Sequence, residues 1–325
     1  VRRPRARRIA LALAVLLALA VAWPVGLLVW ANGKIVHVTA LSGTPDTTPA
    51  TTYLLAGSDA RGGADGLEED GTVGARTDTI MLLTKPPQGP ASLISLPRDT
   101  YVEIPGHGPA KLNAAYAFGG APLLVATVEQ LSGLHVDHYV EIGLGGVSEL
   151  VTAVGGVEVC FDPAIDKVSF PLSDPDSGLV WDAPGCKVVD GPTAVAYSRM
   201  RKADLEGDIG RARRQQRVIH AVAATAASPS LAFQPGKQVA LIDAGLGAVR
   251  VDDGTGILDL GRLALAFRAA TGPEGVRGTP PIANPDYRPG GVGSTVQLDP
   301  AQTPAFWTSV ATGTLTPGST VGGLG

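Results

Sequence analysis

The hydrophobic pattern opens with one unbroken block. Ile9 to Ala31, IALALAVLLALAVAWPVGLLVWA, contains no charged side chain, and at about 1.5 Å per residue a helix of that length crosses roughly 30 Å of hydrocarbon. Arg2, Arg3, Arg5, Arg7 and Arg8 precede it. Positive flanks stay on the cytoplasmic side, so the chain after Asn32 is expected outside the cell membrane, on a single-pass anchor with its N-terminus inside. A cleaved signal peptide is the alternative, but its apolar region usually runs about 7 to 15 residues, and no small-x-small cleavage site follows here. Of the two tryptophans in the block, only Trp30 stands where an interfacial aromatic would.

Beyond the block the pattern changes to short apolar runs alternating with longer helical ones. TYLLAGSD, TDTIMLLTK, ASLISLPRD, HYVEIGL and VEVCF predict strands; APLLVATVEQLSG and GVSELVTAVGG, with apolar residues three and four apart, predict amphipathic helices. Further helices are expected from about Gly210 to Ser228 and from about Gly256 to Ala270. Strands and helices in alternation imply an α/β fold, a layered α-β-α domain with a central mixed sheet, preceded by one transmembrane helix. The predicted organisation is a basic cytoplasmic arm (1–8), a transmembrane helix (9–31), a linker (32–51), an extracytoplasmic domain (52–316) and a flexible glycine-rich tail (317–325). GTPDTTPATT, residues 43–52 where the linker runs into the domain, is polar and holds two prolines, and is expected to lift the domain off the bilayer.

An exported domain meets an oxidising compartment, which bears on the only two cysteines, Cys160 and Cys186. They are expected to pair, stabilising the fold by roughly 3.5 kcal/mol on the chain-entropy estimate. Without a CxxC motif or clustered histidines, no zinc site is expected.

Charged residues gather at the predicted strand ends. GSDAR closes the first strand and ARTDT opens the second, so a long hairpin would bring Asp59, Arg61, Arg76 and Asp78 together. Two aspartates so placed suit a hard divalent cation that keeps several waters, the habit of Mg²⁺, or else a salt-bridged loop mouth. Between them GGADGLEEDGTVG is a solvated acidic loop. The third strand runs into SLPRDT, where Pro97 ends the ladder and exposes Arg98 and Asp99. KLNAAYAFGG then adds Lys111 and Asn113 near the same edge.

The densest cationic stretch is YSRMRKADLEGDIGRARRQQR, Tyr197 to Arg217, in a chain of net charge −4. At about 100° per residue, Arg211 and Gln215 share the face of Val218, Ile219 and Val222 and point inward, whereas Arg213, Arg214 and Arg217 are expected on the solvated side. Asp208 is placed to cap this helix, whose N-terminal amides would welcome an anion beside Arg211, with Arg199 or Arg201 in reach. Nucleic acid fits poorly: the remaining basic residues are dispersed, with no basic stripe and few aromatics. Focused guanidinium forks with an Mg²⁺ pair suit a phosphate or pyrophosphate instead.

GSDAR, ARTDT, SLPRDT, KLNAAYAFGG, LVTAVGGVEV, VDGPTAVAYSRMR and GDIGRARRQQ occur here in one order. In that order and approximate spacing the chain resembles the LytR-CpsA-Psr family of cell-wall polymer ligases, over Thr52 to about Ser228 and more loosely toward Gly313. The resemblance implies a membrane-anchored phosphotransferase. Such an enzyme moves a glycopolymer (teichoic acid, capsule or arabinogalactan) from a polyprenyl-diphosphate lipid to a peptidoglycan hydroxyl through a phosphodiester. It implies Asp59 and Asp78 as Mg²⁺ ligands, and Arg61, Arg98, Lys111, Arg199, Arg201 and Arg211 around the diphosphate with Gln215; Arg76 and Asn113 lie close enough to join them. Arg98 and Arg211 would act in the chemistry, with Asp208 or Asp99 taking the acceptor's proton, although a carboxylate of ordinary pKa near roughly 4 is a poor base unless burial shifts it. The long acidic loop between GSDAR and ARTDT departs from the family pattern and alters the approach to the metal pair. Two other readings stay open: a polyprenyl-diphosphate hydrolase with the same site residues, and a non-enzymatic lipid-binding envelope regulator.

Overall fold

A computed structural model describes residues 3–41, 48–58, 77–162, 166–200, 203–204, 210, 213–214, 217–218, 221–222, 224–225 and 234–324. From the N-terminus come α1 (Arg3–Asn32), β1 (Val36–Val38), β2 (Thr51–Ser58), β3 (Thr77–Lys85), β4 (Ser92–Leu96), β5 (Tyr101–Ile104) and β6 (Gly108–Lys111). There follow α2 (Leu112–Ser132), β7 (His138–Gly143), α3 (Leu144–Val154), β8 (Val157–Phe161), β9 (Leu172–Asp174), β10 (Leu179–Trp181), β11 (Gly185–Val189) and α4 (Gly191–Arg199). The helical residues described between 210 and 225 mark α5. After it come α6 (Pro235–Gly247), β12 (Val249–Asp252), α7 (Ile257–Thr271), β13 (Val276–Tyr287), β14 (Thr295–Leu298), α8 (Thr303–Thr312) and β15 (Thr320–Leu324).

Among the described residues nine strands form one sheet in the order β1-β12-β7-β2-β3-β4-β13-β14, with β15 also on β13. The sheet is mixed: β2 runs antiparallel to β3 and parallel to β7, and β4 runs parallel to β13. Alternate residues of the central strands go to opposite faces, and both faces are apolar. Leu54, Ala56, Ile80, Leu82, Ile94 and Leu96 pack against Leu124 and Val128 of α2 and Trp307 and Val310 of α8. On the other face Tyr53, Leu55, Leu83 and Val140 pack against Ala266 and Ala270 of α7. The α-β-α layering expected from the sequence is therefore present, but VEVCF is not in the central sheet. It is β8, paired with β11 in a small lobe whose core joins Val151 of α3, Tyr197 of α4 and Val218 of α5.

Cys160 lies directly opposite Cys186 in the β8–β11 ladder, and the two form a disulfide with 4.0 Å between Cα atoms. It is a brace across neighbouring strands. Its carbonyl side matters as well, because the Cys160 oxygen accepts from the Tyr197 hydroxyl at 2.6 Å.

Two expected boundaries are corrected. The 32–51 linker contributes β1, which adds parallel to β12 at the sheet edge, and Ala40 and Ala50 are buried. The 317–325 segment is not a flexible tail through its length, since Thr320–Leu324 is β15 beside β13. Its glycines serve close backbone approach: a Cβ on Gly322 would strike the Thr279 carbonyl, and one on Gly278 would strike that of Val321.

Candidate functional site

The ends of β2 and β4, the start of β3 and the C-terminal half of β7 meet at one end of the sheet. Across it Glu141, Ala56, Ile80 and Leu96 stand in register, one row inside the Gly57–Thr79 pair. Ser58 at the end of β2 faces Thr77 at the start of β3. The hairpin on which the metal pair depended thus exists. Asp78 is the second residue of β3, whereas Asp59, Arg61 and Arg76 lie outside the described residues.

β4 leaves the sheet at Pro97, and the chain turns at once, with the Thr100 amide and hydroxyl both donating to the Pro97 carbonyl at 2.9 and 2.6 Å. This turn receives the start of α2. The Asn113 amide donates to the Arg98 carbonyl at 3.0 Å and the Leu112 amide to that of Thr100 at 2.9 Å. Lys111, at the N-cap position, offers no side-chain cap, so the turn's carbonyls satisfy amides that a Ser or Asp would otherwise take. The same docking joins the charges: Lys111 Nζ donates to Asp99 Oδ1 at 2.7 Å, and Arg98 Nε lies 3.5 Å from Asp99 Oδ2. Arg98 and Asp99 of the turn, Lys111 of β6 and Asn113 of α2 thus form one cluster, with an exposed guanidinium at its rim.

One turn into α2, the Tyr116 hydroxyl donates to Glu141 Oε2 at 2.9 Å, and Tyr139 reaches the same oxygen at 3.1 Å. Glu141 is buried on β7, opposite Arg250 of β12. Burial first and the Glu141 charge second push both phenols well above the ordinary tyrosine range. No motif in the sequence singles out this carboxylate. The only available signal is a glutamate inside HYVEIG, at a position that strand alternation assigns to the same face as buried Tyr139.

The arginine-rich stretch divides differently from expectation. Arg199 is exposed at the last turn of α4; Arg201, Asp208, Arg211 and Gln215 lie outside the described residues. Arg214, expected on the wet side, is fully buried and donates to Asp204 and to the Met200 carbonyl. It sits one turn before buried Val218 and so shares the inward stripe. Gly210 completes the arrangement, since any Cβ there would strike the Asp204 carboxylate. Arg217 is likewise held: it donates to Asp166 at 2.7 Å, to the Tyr197 hydroxyl at 3.2 Å and to the Cys160 carbonyl at 3.1 Å. Burial opposes its charge, but the bonds to Asp166 and Tyr197 outweigh it and raise its pKa. Arg213 approaches the same Asp166 at 3.9 Å. Helical spacing puts Arg214 one turn before Val218 but does not show its partners or those of Arg217, because Asp204 and Asp166 reach the helix from other segments.

Among the described residues the single cluster of metal-ligating side chains is Glu158 with Cys160 and Cys186, and both sulfurs there are bonded to each other.

The LytR_cpsA_psr family profile matches residues 31–254, and the chain belongs to that family. The probable cell wall biosynthesis protein LcpB of Corynebacterium glutamicum is 41% identical over 289 residues, which are 86% of this chain and 66% of that protein. The polyisoprenyl-teichoic acid–peptidoglycan teichoic acid transferase TagU of Enterococcus faecalis is 43% identical over 171 residues, 52% of this chain and 51% of its own. The chain thus spans about half to two thirds of the length of these curated relatives. The structure of TagT bound to LIIa-WTA superposes with a TM-score of 0.56 at 27% identity, covering 84% of this chain and 98% of that one.

Proposed function

We propose that this protein is a phosphotransferase that moves a glycopolymer from a polyprenyl-diphosphate lipid to peptidoglycan, held at the membrane by α1 with its domain outside. The carrying observation is the cluster of Arg98, Asp99 and Lys111 on the docked start of α2, at the sheet end where β2 and β3 also meet. Family membership and the transferase named among its relatives support the same reading. In the reaction an acceptor hydroxyl oxygen bonds to the phosphorus that carries the glycopolymer. The P–O bond to the bridging oxygen breaks, polyprenyl phosphate leaves, and the hydroxyl proton passes to a carboxylate. Phosphoryl transfer of this kind rests on positioning and on neutralised charge. Arg98 and Lys111, with Arg61, Arg76, Arg199, Arg201 and Arg211, bind the diphosphate, and Asn113 and Gln215 complete its polar surround. Asp99 is engaged by Lys111 and keeps that cation in place, which leaves Asp208 to take the proton.

The antiparallel β2–β3 pairing sets the start of β3, which holds Asp78, beside the end of β2, which Asp59 follows in sequence, and carboxylates are the donors a hard ion prefers. Asp59 and Asp78 would hold Mg²⁺, which when bound supplies positive charge to the diphosphate oxygens.

Asp78→Ala and Arg98→Ala are each expected to slow transfer by about 100-fold or more, the scale on which removing one partner of the transition-state charge acts, and so to deplete wall-linked glycopolymer. The measurement is wall polymer phosphate in cells carrying only the variant; unchanged content in both variants overturns the reading.

A further inference from the structure

The last turns of α1 have two dissimilar faces. Leu27 and Trp30, half-buried, and Ala31, buried, form the stripe turned to the domain; Trp23, one turn earlier, is itself 48% exposed and meets the domain through its Nε1, which donates to Gln238 Oε1 of α6 at 3.0 Å. Just past the helix Lys34 Nζ pairs with Asp243 of the same helix α6 at 3.1 Å and lies over the Trp30 ring. The second stripe is Val25, Leu28, Val29 and Asn32, spaced as one helical face. Asn32 at its end accepts from the Ile257 amide at 3.0 Å and so joins the stripe to the first turn of α7. The other three are bare, at 54%, 45% and 70% exposed.

The bare stripe continues onto α7. Inside, that helix packs Ala266 and Ala270 against the sheet; outside it presents Leu258, Arg262, Leu265 and Arg268, three and four residues apart. Leu258 and Leu265 are 63% and 67% exposed. Single exposed leucines on a soluble surface need no explanation. Here they extend an apolar stripe that begins inside the membrane-length helix, and arginines stand beside them as interfacial helices place their cations at the headgroup level, Arg262 while also paired with Asp259 at 2.7 Å and Arg268 one turn past Leu265.

We propose that the outer face of α7 and the Val25–Leu28–Val29 stripe of α1 form one bilayer-seated surface, occupied by anionic phospholipid, so that the domain rests on the leaflet. This rests on the reading of α1 as a membrane helix. It reverses the expectation that the segment after α1 lifts the domain clear: β1 enters the sheet only four residues after Asn32, and α6 is met by Trp23 of α1 and by Lys34 just beyond it. A seated domain meets a lipid-linked diphosphate at the depth where that headgroup already lies.

The test uses the full chain in vesicles of phosphatidylcholine and phosphatidylglycerol, with an environment-sensitive fluorophore on single cysteines introduced as Leu258→Cys, Leu265→Cys, Val15→Cys and Val180→Cys; the native cysteines are bonded and unreactive. Val15 reports α1, and exposed Val180 on β10 is the water-facing reference. Doxyl-labelled lipid is expected to quench positions 258 and 265 several-fold more than 180, with a blue-shifted emission that weakens in vesicles lacking phosphatidylglycerol. Quenching at 258 and 265 no greater than at 180, with Val15 strongly quenched, overturns the seated surface and leaves the anchor standing. Val15 quenched no more than Val180 removes the anchor reading and the proposal with it.

Discussion

Arg214 and Asp204 are both buried and bonded to each other, and Arg214 also satisfies the Met200 carbonyl that ends α4. Taking such a pair out of water is costly, and removing one member leaves the other charge uncompensated. Arg214→Ala is therefore expected to destabilise the folded domain by about 3–5 kcal/mol, whereas the pair replaced together by the apolar Asp204→Val and Arg214→Met should recover much of the loss. Urea unfolding of the detergent-solubilised protein measures both; a single variant as stable as the parent would show the pair to be dispensable. The same geometry separates two kinds of arginine in one stretch. Arg214 and Arg217 hold α5 to the disulfide-braced lobe through Asp204, Asp166 and the Cys160 carbonyl, and they are thus unsuited to meet a substrate. Arg199 at the end of α4 is exposed, where it can turn toward one.

At the scale of elements, helix starts organise the molecule. α2 begins on the carbonyls of the Pro97–Thr100 turn, and this is what carries Lys111 to Asp99. α4 begins on Asp190, whose carboxylate accepts from the Thr193 amide, with Pro192 in the first turn. α7 begins between two acceptors, Asn32 of α1 on the Ile257 amide and Asp259 on the Gly256 amide. The Gly256 amide bond holds the Asp259 carboxyl below its usual value, with burial working the other way and Arg262 assisting. A depressed folded pKa contributes stability above the unfolded value of about 3.9 and loses it as pH falls through the lower folded one. Asp259→Asn should accordingly lower the unfolding midpoint at pH 7, and the gap to the parent should close as pH falls below about 4. Midpoints measured across that fall check it; a gap that stays constant would mean that the charge on Asp259 contributes nothing.

For the whole molecule, the sheet places the α1 side at β1 and β12 on one edge and the Arg98–Lys111 cluster beyond β4. The disulfide lobe packs through α3 and α4 beside the β7 end. The proposed function requires the site outside and close to the bilayer, which is where α1, read as an anchor with a basic N-terminal flank, would hold it. Protease added to wall-stripped intact cells is expected to remove the domain from its membrane stub. Full protection until the membrane is permeabilised would place the domain inside and exclude transfer to peptidoglycan by this chain.

Periodicity and short-range chemistry determined much by themselves. The uncharged run from Ile9 to Ala31 marked a long apolar helix, the alternation in TYLLAGS and TDTIMLLTK marked paired strands, and two cysteines in a segment expected to be exported pointed to one bond. These signals are local, because backbone hydrogen bonds and side-chain spacing repeat within a few residues. Tertiary structure decided what depends on partners distant in sequence. Asp166 and Asp204 turned Arg217 and Arg214 from surface charges into internal struts, Tyr116 of α2 reached Glu141 on the sheet face beneath it, and β13 converted a glycine-rich segment into a strand. The residue types at those positions fit either fate; which fate holds is set by the free energy of burying a charge or an amide once its partner has been brought within hydrogen-bond reach.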